Sequence, residues 1–227
     1  MGTKHVFLSV LAFTFIALFA SKYLATFNDS PNEHAGFPWE VTVLESGNTQ
    51  VFSVIIGETS LLQAEKIFHE AAEITLFSTP QSEAVVEAFF SEVKIGGLKS
   101  KMVMSIDIPQ SELQAMFSRG ARISTLGSGT RKITLSSDDA QRVRHAAIRS
   151  ITYLPAINLN AELIEKRFGQ PQEKLADPES DAIHWLYPDK GVDIALSDEN
   201  KEVIQYVTPE HFAELTRPLK TPLDSAP

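Results

Sequence analysis

Residues 84–108 read AVVEAFFSEVKIGGLKSKMVMSIDI. Apolar and polar residues alternate along Ala84–Ile95 and again along Lys99–Ile108, the period-two pattern of half-buried strands. The two stretches are broken at Gly96-Gly97, residues that tolerate the backbone of a tight turn. Pro109 then opens a short helix over Gln110–Ser118.

Toward the N-terminus, Thr59 or Ser60 can cap a helix whose buried stripe is Leu62, Ile67 and Phe68 with Ala64 and Ala71. Before it, Glu40–Glu45 and Gln50–Ile56 flank Ser46-Gly47-Asn48 and predict a hairpin. Toward the C-terminus, Arg122–Leu126 and Arg131–Leu135 flank Gly127-Ser128-Gly129-Thr130 and predict another. Ser136 or Ser137 caps a helix with Asp138 and Asp139 in its first turn, at the positive end of the dipole. That helix is expected to run to about Leu154 and stop at Pro155. A further helix, Asn160–Phe168, ends at Gly169 with Pro171 beyond it. Strands are expected at Ala182–Tyr187, Val192–Leu196 and Lys201–Val207. Pro209 then starts a last short helix, Glu210–Leu215.

The two halves align at a spacing of 100 residues. Glu65-Lys66-x-Phe68 falls on Glu165-Lys166-x-Phe168, Glu73 on Glu173, Lys101 on Lys201, Val103 on Val203 and Pro109 on Pro209. Seven identities in the 58 positions from Leu61 to Ser118 are weak alone, so the shared order of elements carries the comparison. The expected fold is α+β: an N-terminal transmembrane helix, then two similar small antiparallel sheets, each covered by helices, a possible internal duplication able to pack as one body. The expected divisions are a signal anchor (1–27), a linker (28–36), a first α+β unit (37–120), a second with an extra helix (121–217) and a tail (218–227).

Val6–Ser21 carries no charge, and Lys4 precedes it, the layout of an export signal. Sixteen helical residues span only about 24 Å, but the apolar pattern resumes after Lys22, and Val6–Phe27 would reach about 33 Å, enough to cross a bilayer. Cleavage after Ala20 would place Leu18 where a small residue is preferred. Retention as an anchor is therefore the leading expectation, and a cleaved signal followed by a soluble periplasmic body is the alternative. Lys4 belongs on the cytoplasmic side, which puts the body in the periplasm and the lipid bilayer against residues 6–27.

The chain has 227 residues, no cysteine and a formal charge of −9. The missing cysteines exclude a disulfide scaffold, a thiol nucleophile and cysteine-bound zinc. The acidic balance argues against nucleic acid as a partner. His69-Glu70-x-x-Glu73 lacks the second histidine of a zinc-protease helix. Gly127–Lys132 lacks phosphate-loop spacing, and there is no Gly-x-Ser-x-Gly elbow. No catalytic residue, metal ligand or cofactor is expected.

Charge is uneven along the chain. Residues 119–150 carry 7 basic and 2 acidic side chains, a net +5, whereas residues 1–118 and 151–227 carry −7 each. On the expected long helix Arg142, His145 and Arg149 share a face, a candidate docking surface. Trp185 and Tyr187 fall on one side of a strand, a second candidate recognition patch.

A short helix closing on Phe168-Gly169-x-Pro171, then Trp185-x-Tyr187, then two alternating strands around Asp198-Glu199-Asn200 form one more pattern. In these features residues 159–207 resemble the small β-barrel-assembly lipoproteins of the BamE type. The resemblance covers about 50 of the 227 residues and lacks that family's lipid-bearing cysteine. It implies a helix packed on a small antiparallel sheet, in a module that binds other proteins at the membrane.

The leading functional expectation is a non-enzymatic, membrane-anchored periplasmic protein that binds another protein as an assembly factor or accessory subunit. A soluble periplasmic binding protein for a lipid or small apolar ligand is the second, and an enzyme of unrecognised type the third.

Overall fold

The computed structural model describes residues 36–79, 83–126, 129–197 and 200–220. The expected anchor, most of the linker and the residues after Lys220 lie outside them. Among the described residues no helix is long and apolar enough to cross a membrane.

The hairpin of residues 85–106 lies inside the main sheet. Strands β5 (Val85–Ile95) and β6 (Leu98–Ile106) pair antiparallel. Gly96 and Gly97 adopt φ of 57° and 81°, the primed turn that matches strand twist. β5 bulges between Phe90 and Val93. The Glu70 carboxylate accepts the two backbone N–H groups freed there, from Ser91 at 2.7 Å and Glu92 at 3.1 Å.

Around this hairpin the strands join into one sheet. The remaining strands are β4 (Glu73–Ser78), β7 (Arg122–Thr125), β8 (Arg131–Thr134), β9 (Ile148–Leu154), β10 (Glu173–Ala176), β11 (Ile183–Tyr187), β12 (Val192–Leu196) and β13 (Val203–Tyr206). They lie in the order β10-β11-β12-β13-β9-β6-β5-β4-β8-β7, a single ten-stranded antiparallel sheet. A small second sheet is made by β1 (Thr42–Val43), β2 (Thr49–Val51) and β3 (Val54–Ile55).

Five short helices occur among the described residues: α1 (Leu61–Phe68), α2 (Gln110–Ser118), α3 (Ser137–His145), α4 (Ala161–Phe168) and α5 (Phe212–Thr216). α1 starts in a capping box, with Gln63 N–H donating to Ser60 Oγ at 3.3 Å and Ser60 N–H to Gln63 Oε1 at 2.8 Å. α4 is capped by Asn160, whose Oδ1 accepts from Leu163 N–H at 2.8 Å. α1 to α4 all bury residues in one core with Val86, Phe90, Met102, Met104, Ile151, Ile194 and Tyr206 of the sheet. α5 instead packs Phe212 with Leu186 and Val207 in a separate cluster.

This architecture overturns the expected α+β fold with two separate small sheets. The protein is mostly sheet, and both halves share one ten-stranded sheet and one main core. The misreading that hid the joining of the halves lies at residues 146–154. Val143, Ala147 and Ile151 mimic a helical stripe, but α3 ends at His145, and Ala146 turns extended, with φ −85° and ψ 156°. Ile148–Leu154 becomes β9, paired with β6 on one side and β13 on the other. That strand welds the halves together. The chain's β-branched Ile148, Ile151 and Thr152 suit it. The neighbouring loop backbone fixes its start, with Leu61 N–H donating to the Ala146 carbonyl at 3.1 Å and Ile148 N–H to the Thr59 carbonyl at 3.0 Å. β4 and β10, both unexpected, follow α1 and α4 at the same spacing of 100.

Candidate functional site

Arg142 and His145 lie on α3 and are exposed, but Arg149 is on β9, so the three do not share a helix face. Arg142 is held by Glu112 of α2. Arg149 reaches Glu214 of α5 at 2.7 Å and Asp107 at 3.9 Å. Arg144 meets Glu65 of α1 at 3.3 Å. Arg119 makes a forked pair with Asp139, Nε to Oδ2 at 2.9 Å and a second nitrogen to Oδ1 at 2.6 Å. Asp139 is buried, and these bonds from Arg119 hold its carboxyl below the usual aspartate value, against the cost of burial. Much of the basic band of the sequence is thus stitched to acids from other elements.

What remains unstitched lies in the β7–β8 hairpin. Between Arg119 and Ser137 there are four basic side chains and no acidic one. Lys132 pairs with Glu73 at 3.0 Å, and Arg119 with Asp139. Among the described residues Arg122 has no ion-pair partner, and Arg131 makes a cation–π contact with Phe117, 5.7 Å from its ring centroid. All four residues of β7 are exposed, Ile123 at 50%. Among the described residues β7 ends the sheet order, and none of their strands pairs with the other side of its backbone.

Trp185 and Tyr187 do point to one side of β11, but that side is the core. The Tyr187 hydroxyl donates to the Gly169 carbonyl at 2.9 Å, and Lys174 Nζ stands 3.6 Å from the Trp185 ring centroid. On the opposite side of β11 and β12, His184 Nδ1 lies 2.7 Å from Asp193 Oδ2 and 2.9 Å from Oδ1, both residues buried. Burial lowers the imidazole pKa, but the bonds and charge of Asp193, with Asp177 beyond, outweigh it and leave the value above the usual histidine figure. Glu87, half-buried on the same side of the sheet between Thr75 and Ser105, is pushed by burial up to about 7.

His69 closes α1 in a left-handed conformation, Glu70 serves the β5 bulge and Glu73 holds Lys132, so these three side chains have separate tasks. Among the described residues no cluster of three or more His, Asp or Glu side chains could hold a metal ion. A surface cleft of about 340 Å³ is lined by Val43, Asn48, Asp189, Thr208, Glu210 and neighbouring turn residues.

Comparison with protein-family models, curated proteins and solved structures finds no match to this chain. The feature that sequence reading missed is the open edge. The hairpin that carries it was legible, but its place at the end of the sheet follows from long-range pairing of β8 with β4.

Proposed function

We propose that the protein is a non-enzymatic binding factor that works at the membrane, with its body on the periplasmic side, where it holds another protein as an assembly or accessory component. The observation that carries this reading is the uncharged run Val6–Ser21 behind Lys4, joined through a polar linker to a body with an exposed, basic edge. The run supports attachment to the membrane through residues 6–27. The body supports binding, because a sheet edge offers unpaired backbone groups to a second chain.

Crosslinking in intact membranes followed by purification of the full chain tests the reading. The expected result is a discrete crosslinked partner, retention in membranes through a high-salt wash, and an intact mass that includes the first residues. Complete release by salt with no adduct overturns it. A mass lacking the first ~20 residues would move the same binding role to a soluble periplasmic form.

A further inference from the structure

We propose that β7 is a docking edge for an extended segment of a partner protein in which acidic and apolar residues alternate; this rests on the binding-factor reading and names its surface. Leu126 N–H donates to the Thr130 carbonyl at 2.8 Å, just beyond the Thr125–Arg131 pair. In an antiparallel ladder such bonded pairs recur every second residue. Arg122 and Ser124 therefore turn their N–H and C=O groups toward β8. Ile123 and Thr125 turn theirs to the open side. Two residues of the strand are thus ready to pair with an incoming strand.

Side chains then choose the occupant. Ile123 stands opposite Ile133, whose side chain is in the main core, and extends that apolar row to the edge. Arg122 and Ser124 lie on the other face, where Ser124 is opposite Lys132. A strand laid against β7 meets the Ile123–Ile133 row on one face, with Arg131 beside it opposite Thr125, and Arg122 on the other face. Glu or Asp alternating with Val, Ile or Leu satisfies both. A second copy of this chain would bring its own arginines to the same edge, where like charges repel. The opposite edge differs. On β10, Lys174 lies over Trp185, Glu173 is paired with Lys220 at 3.3 Å, and Leu175 packs against the cluster under α5. Those charges and contacts blunt that edge.

The probe is a fluorescein-labelled acetyl-(Glu-Val)4-amide peptide titrated into the full chain, with acetyl-(Lys-Val)4-amide as its charge-reversed counterpart. Binding of the acidic peptide that weakens with added salt, and slowed hydrogen exchange at the Ile123 and Thr125 amides, are expected. Thr125→Pro removes one outward N–H while leaving the ladder to β8, and should weaken binding at least roughly tenfold. Ala176→Pro, at an outward position of β10, should leave binding unchanged. Arg122→Glu, which keeps the backbone, should lower affinity by a similar factor. No binding of the acidic peptide overturns the proposal. So does equal binding of the basic one, an unchanged affinity in both Thr125→Pro and Arg122→Glu, or a loss with Ala176→Pro instead. Self-association by sedimentation that disappears in Thr125→Pro would make the occupant a second copy and also overturn it. Membrane crosslinking that persists in Thr125→Pro removes the edge but keeps the binding-factor reading. Peptide binding without any membrane partner does the reverse.

Discussion

Phe68 and Phe168, one hundred residues apart, close their helices in the same way. Each is the last residue of an eight-residue helix, and each is buried, 3% and 4% exposed. In each case the next residue, His69 or Gly169, has positive φ and donates its N–H to the carbonyl of Glu65 or Glu165. Phe68 packs edge-on against Phe90 at 5.5 Å, and Phe168 lies 5.9 Å from Tyr187. The strand order matches this spacing only at β4 and β10, because at 100 residues β6 falls on β13 and not on β12. β4-β5-β6-β9 on one side and β10-β11-β12-β13 on the other meet at the β9–β13 pair.

Because both rings sit in the same core, Phe68→Ala and Phe168→Ala should each destabilise the protein by roughly 3–5 kcal/mol. Urea unfolding of the two variants measures this. A loss under ~1 kcal/mol at either position would show that its ring is not a core anchor.

Stability should fall as pH rises across neutrality. Glu87 binds its proton more tightly when folded, with its value moving from 4.5 to about 7, so its contribution is full below 4.5 and is lost as pH passes 7. His184 is also raised, so the stability from its pairing with Asp193 is full below about 6.5 and is lost as pH climbs through the folded value. Thermal melts at pH 5 and pH 8.5 should place the midpoint lower at the alkaline end. Glu87→Gln should flatten part of this slope, and an NMR titration of His184 separates the second component. A Glu87→Gln profile that matches the parent would remove Glu87 from the account. His184→Ala strands a buried carboxylate and should cost roughly 3–5 kcal/mol.

Gly191 should not accept alanine. Its φ is 67°, and a Cβ there would collide with the carbonyl oxygen of Val207, whose N–H is bonded to the Gly191 carbonyl at 2.9 Å. This contact ties the turn before β12 to the end of β13. Gly191→Ala should cost roughly 2–4 kcal/mol in denaturant unfolding. A variant as stable as the parent would mean that the turn can yield.

Caps and turns were readable from local sequence, and burial in part: of the stripe expected on α1, Ala64 and Phe68 are buried, Leu62 and Ile67 half-buried and Ala71 exposed, while Leu61 is buried instead. Ser60 and Ser136, each one of two expected candidates, cap their helices, and Asn160, expected as the first residue of its helix, caps it, because capping depends on residues three apart. Gly96-Gly97 makes the tight turn, because positive φ is cheap for glycine. Val143 and Ile151 are both fully buried, as their apolar character requires, although one is on a helix and the other on a strand. Spacing of apolar residues says which side chains leave water. Over so short a stretch it does not say which period the backbone adopts.

The candidate surface shows the same divide. Arg142 and Arg149 form no common face, because the helix that would align them ends at His145, and Glu112 and Glu214 from distant segments neutralise them. Trp185 and Tyr187 alternate correctly, but which side of β11 faces the core is set by α4.

Residues near in sequence settled the helix starts and the hairpins, since these follow from capping and dihedral preference. Long-range pairing settled the rest. β9 chose strand over helix because β6 and β13 on either side satisfy its backbone groups, which no intrahelical bond could do once Ala146 left the helix. The same pairings merged two small sheets into one and left β7 at its rim, so the position of the open basic edge came from contacts that join residues far apart in the chain.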